Sequence, residues 1–206
     1  MNRVNQKALL VHQQNPMFLV EKITRDKIMN TQYWKESSET LIDKAIALNH
    51  IGGTYGGNRK PTPFLCLILK MLQLQPDQRI ILEYINNEAS KYLRVIGAYY
   101  YRLTAPSEDV YKNLEPLYND YRKIRFRNVD GNATIIHVDE FIDELLTKKN
   151  VCDIALPRIQ KRQELEKIGK LGPRVSLLDM AIDEALEGEL QSPHLEEEMD
   201  NEVDDQ

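Results

Sequence analysis

The chain is 206 residues long, with 42% hydrophobic residues, a formal net charge of -5 and two cysteines, Cys66 and Cys152. This length fits one domain with a tail, and the cysteines lack the paired spacing of a zinc site or a disulfide framework. No stretch approaches the ~18 apolar residues of a membrane span, and the N-terminus lacks the apolar run of a signal peptide. We therefore expect a soluble protein of a reducing compartment, the cytosol or the nucleus.

The negative charge is concentrated at the C-terminus. Residues 176–206 contain 12 acidic and no basic residues, so the 175 residues before them carry all 27 basic residues against 20 acidic ones. A basic body with an acidic tail is typical of proteins that work beside nucleic acid, although solvated surface charge gives the same pattern. We expect one domain over residues 1–175 and an acidic tail over 176–206, largely disordered beyond about Gly188.

The first third of the chain has the periodicity of amphipathic helices. The turn signal Asn15-Pro16 opens a predicted helix over 18–30, and a second helix is predicted over 40–49. Four glycines between residues 52 and 57 then predict a loop whose backbone reaches positive φ.

A helix with Thr62 as its N-cap and Pro63 as its first residue follows this loop. Its body, FLCLILKMLQL, is apolar almost all round, which predicts the central buried helix of the domain. Pro76 ends that helix and opens another. The helix after it has a predicted core stripe, which consists of Tyr92, Val95, Ile96, Tyr99 and Leu103.

The second half predicts one β-hairpin among helices. Pro106 begins a helix with an acidic first turn, and Pro116 divides the stretch that follows. Asp130-Gly131 lies between two β-rich runs within 123–138, which is a hairpin signal. Helical periodicity returns from Val138, and a last helix is predicted over 157–168. The sequence thus predicts a mainly α protein, a single multi-helix domain with one small β-hairpin.

Three patterns are candidates for sites of chemistry. The glycine loop lacks the Lys-Ser or Lys-Thr of a P-loop, so a tight structural turn is favoured over a phosphate site. His137 precedes two carboxylates, but the acids suit a helix N-terminus and no second histidine cluster supports a metal site. Cys66 fits a core position, and Asp153 would disfavour a thiolate at Cys152. We therefore expect no catalytic residues, no cofactor and no bound metal.

A basic and aromatic stretch over residues 118–127 predicts an interaction surface. Aromatic side chains interleaved with Arg and Lys can stack bases and neutralise phosphates, but core tyrosines beside a solvated hairpin edge give the same pattern. No RRM signature and no KH-type Gly-x-x-Gly in context is present. The candidate RNA-contacting residues are Arg59, Lys60, Arg125 and Arg127.

The sequence resembles the pre-mRNA-splicing factor 38 family from about Asn15 to Val175. The resemblance rests on several long sequence motifs, which occur in the order and spacing of the family: NPMFLVEKI, YWKE, GGTYGGNRKPTPFLCLILKMLQLQP, GAYYYRLT, YKNLEPLYNDYRKI, HVDEFIDELL and VCDIALPRIQKR. The resemblance implies a long Arg-Ser-rich extension in animal members, and no such stretch occurs within the 206 residues. The family has no catalytic motif, so no active-site residue can be carried over.

The resemblance implies a non-enzymatic nuclear scaffold. Members associate with the tri-snRNP in the pre-catalytic spliceosome and are needed for its activation, beside a microfibrillar-associated-protein homologue and a small zinc-finger splicing protein. We expect no membrane partner, and direct contact with snRNA or pre-mRNA is the alternative function. Because Tyr and Arg often anchor protein interfaces, the candidate partner-binding residues are Arg94, Tyr101, Tyr118, Tyr121, Arg122 and Lys123. Tyr101 is expected to lie off the core stripe of its helix, and core burial is the competing interpretation for each tyrosine.

Overall fold

The computed structural model describes residues 9–30, 41–174, 176, 178–182 and 186. The chain divides into two units, Met1–Leu171 and Gly172–Gln206, and the elements below belong to the first. The mainly α prediction is confirmed. The disorder predicted beyond about Gly188 falls outside the described residues. Within the described ranges, no helix combines the length and the apolar character needed to cross a bilayer.

The helices of the first unit are short to medium in length. They are α1 (Lys22–Met29), α2 (Leu41–Ile46), α3 (Pro63–Leu74), α4 (Gln78–Asn86), α5 (Lys91–Thr104), α6 (Ser107–Leu114), α7 (Val138–Thr147) and α8 (Arg162–Lys167). Among the described residues, 3-10 helices also cover Pro16–Leu19 and Glu115–Asn119. The strands are β1 (Thr54–Tyr55), β2 (Lys60–Pro61), β3 (Lys123–Arg127), β4 (Ala133–His137), β5 (Asn150–Val151) and β6 (Ile154–Ala155).

Helix α3 begins where the sequence predicts and is the buried helix. The hydroxyl of Thr62 accepts a hydrogen bond from the backbone N–H of Leu65 at 3.2 Å, and Pro63 occupies the first turn. The same hydroxyl donates to the carbonyl of Gly52 at 2.6 Å, which fixes the glycine loop to the helix. Eight of its residues are buried: Phe64, Leu65, Cys66, Leu67, Ile68, Leu69, Met71 and Leu72.

Helix α5 lies at the centre of the core and packs against α2, α3, α4, α6 and α7. All five residues of its predicted stripe are buried. Tyr99 makes an edge contact with Phe64 of α3, at 5.3 Å between ring centroids, and stacks on Phe141 of α7 at 6.2 Å. Its hydroxyl donates to the carbonyl of Val151 at 2.7 Å. One aromatic side chain thus joins three helices and the β5–β6 turn region.

The predicted helix over 18–30 is wrong in its first part. A 3-10 turn at Pro16–Leu19 is followed by extended backbone at Val20, and α1 begins at Lys22. Arg25 stabilises the break because its Nη1 donates to the carbonyls of Met17, at 3.0 Å, and Val20, at 3.3 Å. Hydrogen bonds from the Arg25 side chain, to carbonyls eight and five residues earlier, therefore replace the helical ones that the periodicity predicts.

The predicted helix over 157–168 is also too long, since α8 begins only at Arg162. The segment before it bonds to α6 instead: Tyr111 donates its hydroxyl to the carbonyl of Gln160 at 3.0 Å. The backbone N–H of Gln160 donates to the hydroxyl of Ser107 at 3.1 Å. These bonds use backbone groups that a helix would need for itself.

The hairpin over 123–138 is confirmed as β3–β4, with Lys123 opposite His137 and Arg127 opposite Ala133. The structure adds two antiparallel pairs of two-residue strands that the sequence did not predict, β1–β2 and β5–β6. The turn between β5 and β6 consists of Cys152 and Asp153, which have φ of 49° and 60°. Glycine and asparagine usually occupy such positions, so this turn gives no sequence signal.

Candidate interaction surface

A buried carboxylate organises the segment that enters β3. Asp120 accepts a hydrogen bond from Arg94 Nη1 at 2.7 Å, and from Arg122 Nε and Nη2 at 2.8 and 2.6 Å. Arg122 also donates Nη1 to the carbonyl of Glu88 at 2.6 Å. The structure therefore brings together two predicted partner-binding residues, Arg94 and Arg122, on an acid that is not among the residues predicted from the sequence. The signal available was an aspartate two residues before an arginine in a loop.

The two guanidinium groups decide the ionisation of this acid. Burial by itself would raise the pKa of Asp120, but the hydrogen bonds from Arg122 and Arg94 outweigh it and lower the pKa from 3.8 to about 2. Asp120 is therefore ionised at neutral pH. The Arg94 side chain is mostly buried in its ion pair with Asp120, whereas part of the Arg122 side chain remains exposed at the surface.

The tyrosines of the predicted surface differ in exposure. Tyr121 is 67% exposed and lies beside Lys123, which is exposed on β3. Tyr118 is half-buried, and its hydroxyl donates to Asp143 at 3.0 Å. Tyr121, Lys123 and the outer part of Arg122 are thus the accessible members of the predicted partner-binding set.

Tyr101 lies off the predicted core stripe but is buried, with only 2% of the residue exposed, so core burial, the competing interpretation, applies to this candidate. Its hydroxyl accepts hydrogen bonds from Gln78 at 3.0 Å and Asn113 at 3.1 Å. Helix α5 is surrounded by other helices, so side chains outside a single stripe are also buried. Ala98, on the same side, is buried for this reason.

The predicted RNA-contacting residues fall into two kinds. Arg125 and Lys60 are exposed. Arg127 instead lies with its guanidinium carbon 4.0 Å from the centre of the Tyr55 ring, and its Nε donates to the carbonyl of Gly131 at 3.3 Å. Because Lys60 pairs with Tyr55 in the β1–β2 register, Lys60 and Arg127 both lie next to Tyr55. Arg59 reaches toward Asp153, with 3.8 Å between Nη1 and the carboxylate.

The glycine loop binds a carboxylate of the same chain. Both the backbone N–H and the hydroxyl of Thr54 donate to Asp153 Oδ2, each at 2.6 Å. A side-chain Cβ on Gly53 would lie 2.8 Å from the carbonyl carbon of Cys152. The loop is thus a turn between β1 and β2 in which Thr54 holds the Asp153 carboxylate.

His137 and Cys152 have structural surroundings. The backbone N–H of His137 donates to the Glu140 carboxylate at 2.8 Å, and this bond lowers the pKa of Glu140 at the first turn of α7. Burial and the neighbouring Asp153 raise the pKa of the Cys152 thiol well above its usual range, as the sequence predicts. Within the described ranges, no three His, Cys, Asp or Glu side chains are grouped so that they could hold a metal ion.

Comparison with known families decides what the chain is. The model of the PRP38 family matches residues 9–169. The chain belongs to the PRP38 family. This PRP38-family chain is 56% identical over 188 residues to pre-mRNA-splicing factor 38A of Danio rerio and 55% identical to that of Homo sapiens. It is 54% identical to pre-mRNA-splicing factor 38 of Arabidopsis thaliana.

These alignments cover 89% of the PRP38-family chain but only 60% of the animal proteins and 53% of the plant protein. The chain therefore spans little more than half the length of these curated relatives. A chain in the crystal structure of the Snu23-Prp38-MFAP1(217-258) complex of Chaetomium thermophilum has the same fold, with a TM-score of 0.77 and 38% identity. The match covers 88% of this chain and 100% of that one.

Proposed function

We propose that this chain is a non-enzymatic scaffold subunit of the spliceosome, which acts in the nucleus by binding other spliceosomal proteins. The observation that carries the proposal is the match to a whole chain of the Snu23-Prp38-MFAP1(217-258) complex, at 38% identity and a TM-score of 0.77. By this likeness, its partners are an MFAP1-type protein and a Snu23-type zinc-finger protein. Other components of the tri-snRNP complete the set.

The finer role that we propose is spliceosome activation. In this role the chain joins the pre-catalytic complex with the tri-snRNP and supports the rearrangement that precedes the first step of splicing. The chain positions its partners relative to one another, because a scaffold needs surfaces complementary to its partners rather than reacting groups. Tyr121, Lys123 and the exposed part of Arg122 are our candidates for one such surface.

The local structure supports a non-enzymatic role. In the glycine loop, the backbone N–H and the hydroxyl of Thr54 bind Asp153. The backbone N–H of His137 binds Glu140, and the thiol of Cys152 is buried. Each of the three sequence patterns that suggested chemistry therefore has a structural role. A catalytic site would need an accessible nucleophile or base with a group to orient it.

Depletion and add-back test the proposed role. Nuclear extract depleted of the native protein should assemble the pre-catalytic complex with the tri-snRNP bound, and then stop before splicing intermediates form. Adding back the full chain should restore the first step. First-step chemistry at the normal rate in fully depleted extract would discard the activation role.

Direct RNA binding is the second candidate function, and one observation favours it. Lys123 and Arg125 point to the same side of β3, and both are exposed. Lys60 adds an exposed cation on β2. Such a row of cations can track a phosphate backbone without a recognised RNA-binding motif.

A further inference from the structure

The C-terminal end of α7 and the irregular segment 155–161 enclose a groove of about 990 Å³, a volume usual for ligand sites. Its lining combines two kinds of side chain. Leu146, Leu156 and Ile159 give apolar walls, while Lys149 and Lys161 stand exposed around them. Lys148 is exposed as well, but it is paired with Glu144 at 2.6 Å. Glu164 is the acidic member of the lining, at the first turn of α8.

Arg102 of α5 is the buried cation of this lining, with only 3% of its surface exposed. Its Nε donates to the carbonyl of Leu145 at 2.8 Å, near the C-terminal end of α7. Its Nη1 is buried and has no hydrogen-bond partner among the residues that the structure describes. Within the same residues, no carboxylate forms an ion pair with Arg102.

An arginine in this state is unusual because a buried charge is costly unless it is paired. The bond to Leu145 explains one of its N–H groups and places the cation favourably at a helix C-terminus. It leaves the outer edge of the guanidinium without an acceptor among the described residues. That edge matches the two oxygens of a carboxylate, which guanidinium groups bind through paired hydrogen bonds.

We propose that the groove binds an acidic peptide segment of a partner protein, with a Glu or Asp carboxylate paired to Arg102. The apolar walls take flanking apolar side chains, and the rim lysines attract the acidic segment. Arg102 is too deep for a nucleic-acid backbone, which is bound by exposed cations, whereas a carboxylate on a slender side chain can reach it. The proposal takes from the scaffold role only that the occupant is a protein.

The test is a titration of the isotopically labelled full chain, followed by the NMR signals of the Arg102 Nε–H and the groove backbone. The probes are acetyl-Leu-Glu-Leu-amide, its counterpart acetyl-Leu-Gln-Leu-amide, and decauridylate. We expect saturable shifts with the Glu peptide and about tenfold weaker binding of the Gln peptide, since the charged acceptor is lost. Equal binding of the two peptides, or no saturable shift at millimolar peptide, overturns the proposal.

Arg102→Met should abolish the preference for Glu over Gln, whereas Arg79→Met, at an exposed position on α4, should leave it unchanged. A purely structural role for Arg102 at the end of α7 would alter stability without changing that preference.

If Arg102→Met fails to fold, the double change Lys149→Glu and Lys161→Glu affects only exposed positions and should weaken binding of the Glu peptide several-fold. Saturable groove shifts with decauridylate but not with the Glu peptide would assign the site to nucleic acid and overturn the proposal. Failure of this titration would leave the depletion result, and thus the scaffold role, unaffected.

Discussion

Asp120 and Arg122 form a two-point ion pair across one intervening residue, with 2.6 Å from Nη2 to Oδ2 and 2.8 Å from Nε to Oδ1. Arg94 reaches the same carboxylate from α5. The pair therefore ties the entry of β3 to the central helix of the core. It follows that replacing Arg122 would disturb the fold as well as the surface, while Lys123 is a cleaner probe of the surface.

Asp120→Asn should destabilise the protein by roughly 3 kcal/mol at neutral pH, because two arginines lose their charged acceptor. The pKa of Asp120 is lowered from 3.8 to about 2, so its ionic contribution is complete above pH 3.8 and is lost as the pH falls toward 2. The stability gap between wild type and variant should therefore shrink across that range. Urea unfolding at a series of pH values measures it, with Asp130→Asn in the exposed hairpin turn as the control. A stability difference between wild type and variant that does not change with pH would contradict the ionised state of Asp120.

Leu69→Ala should lower the free energy of unfolding by about 2–5 kcal/mol, because it opens a cavity at the centre of the core. Leu69 is completely buried in α3, whereas Leu74 at the end of the same helix is 42% exposed. Leu74→Ala is thus a matched control, and its cost should be clearly smaller. Chemical denaturation with a constant m-value gives both numbers. Equal costs would show that α3 is not the buried helix.

Gly53→Ala should destabilise the fold by about 1–3 kcal/mol through overpacking, since its Cβ would press on the β5–β6 turn. The same change at Gly57 meets nothing within 4 Å and should be nearly neutral. Thermal unfolding of the two variants side by side makes the comparison. A larger loss of stability in Gly57→Ala than in Gly53→Ala would show that packing against Asp153 does not hold the glycine loop in place.

Direct RNA binding by the hairpin predicts that the affinity for decauridylate falls log-linearly with salt. The double change Lys123→Glu and Arg125→Glu should then reduce the slope by roughly 2, one for each phosphate that the hairpin no longer neutralises. Lys167→Glu, an exposed change on α8, serves as the control for net charge. Fluorescence anisotropy over a salt series gives the slopes. Identical slopes for the hairpin variant and the control would discard the RNA-binding alternative.

The sequence motifs shared with the family indicated the fold class and the function more strongly than any single predicted helix or strand did. Thr62-Pro63, the apolar body of α3, the stripe on α5 and Asp130-Gly131 each predicted local structure, and all four were confirmed. These signals are local: a cap, a periodicity or a turn residue acts within a few positions along the chain. The N-cap at Thr62 works through a bond to Leu65, three residues away.

The wrong predictions have a common cause in side-chain contacts that no repeating pattern in the sequence shows. The break before α1 depends on Arg25 binding carbonyls behind it, and the late start of α8 depends on Tyr111 and Ser107 of α6. Tyr101 was a candidate for the partner-binding surface, with core burial as the competing interpretation, because the stripe of one helix does not reveal the neighbours that cover its other sides.

The sequence by itself therefore determined the family, the mainly α class, the start of α3 and the β3–β4 hairpin, because these rest on motifs, caps and turn residues that act within short stretches of the chain. Only the tertiary structure decided which charges are available. Arg94 and Arg122 converge on Asp120, Arg127 lies on Tyr55, and Arg102 is buried without a carboxylate among the described residues. The charge of a side chain is set by its residue type. Its availability to a partner depends on groups that folding brings beside it, such as Leu145, which lies 43 residues along the chain from Arg102.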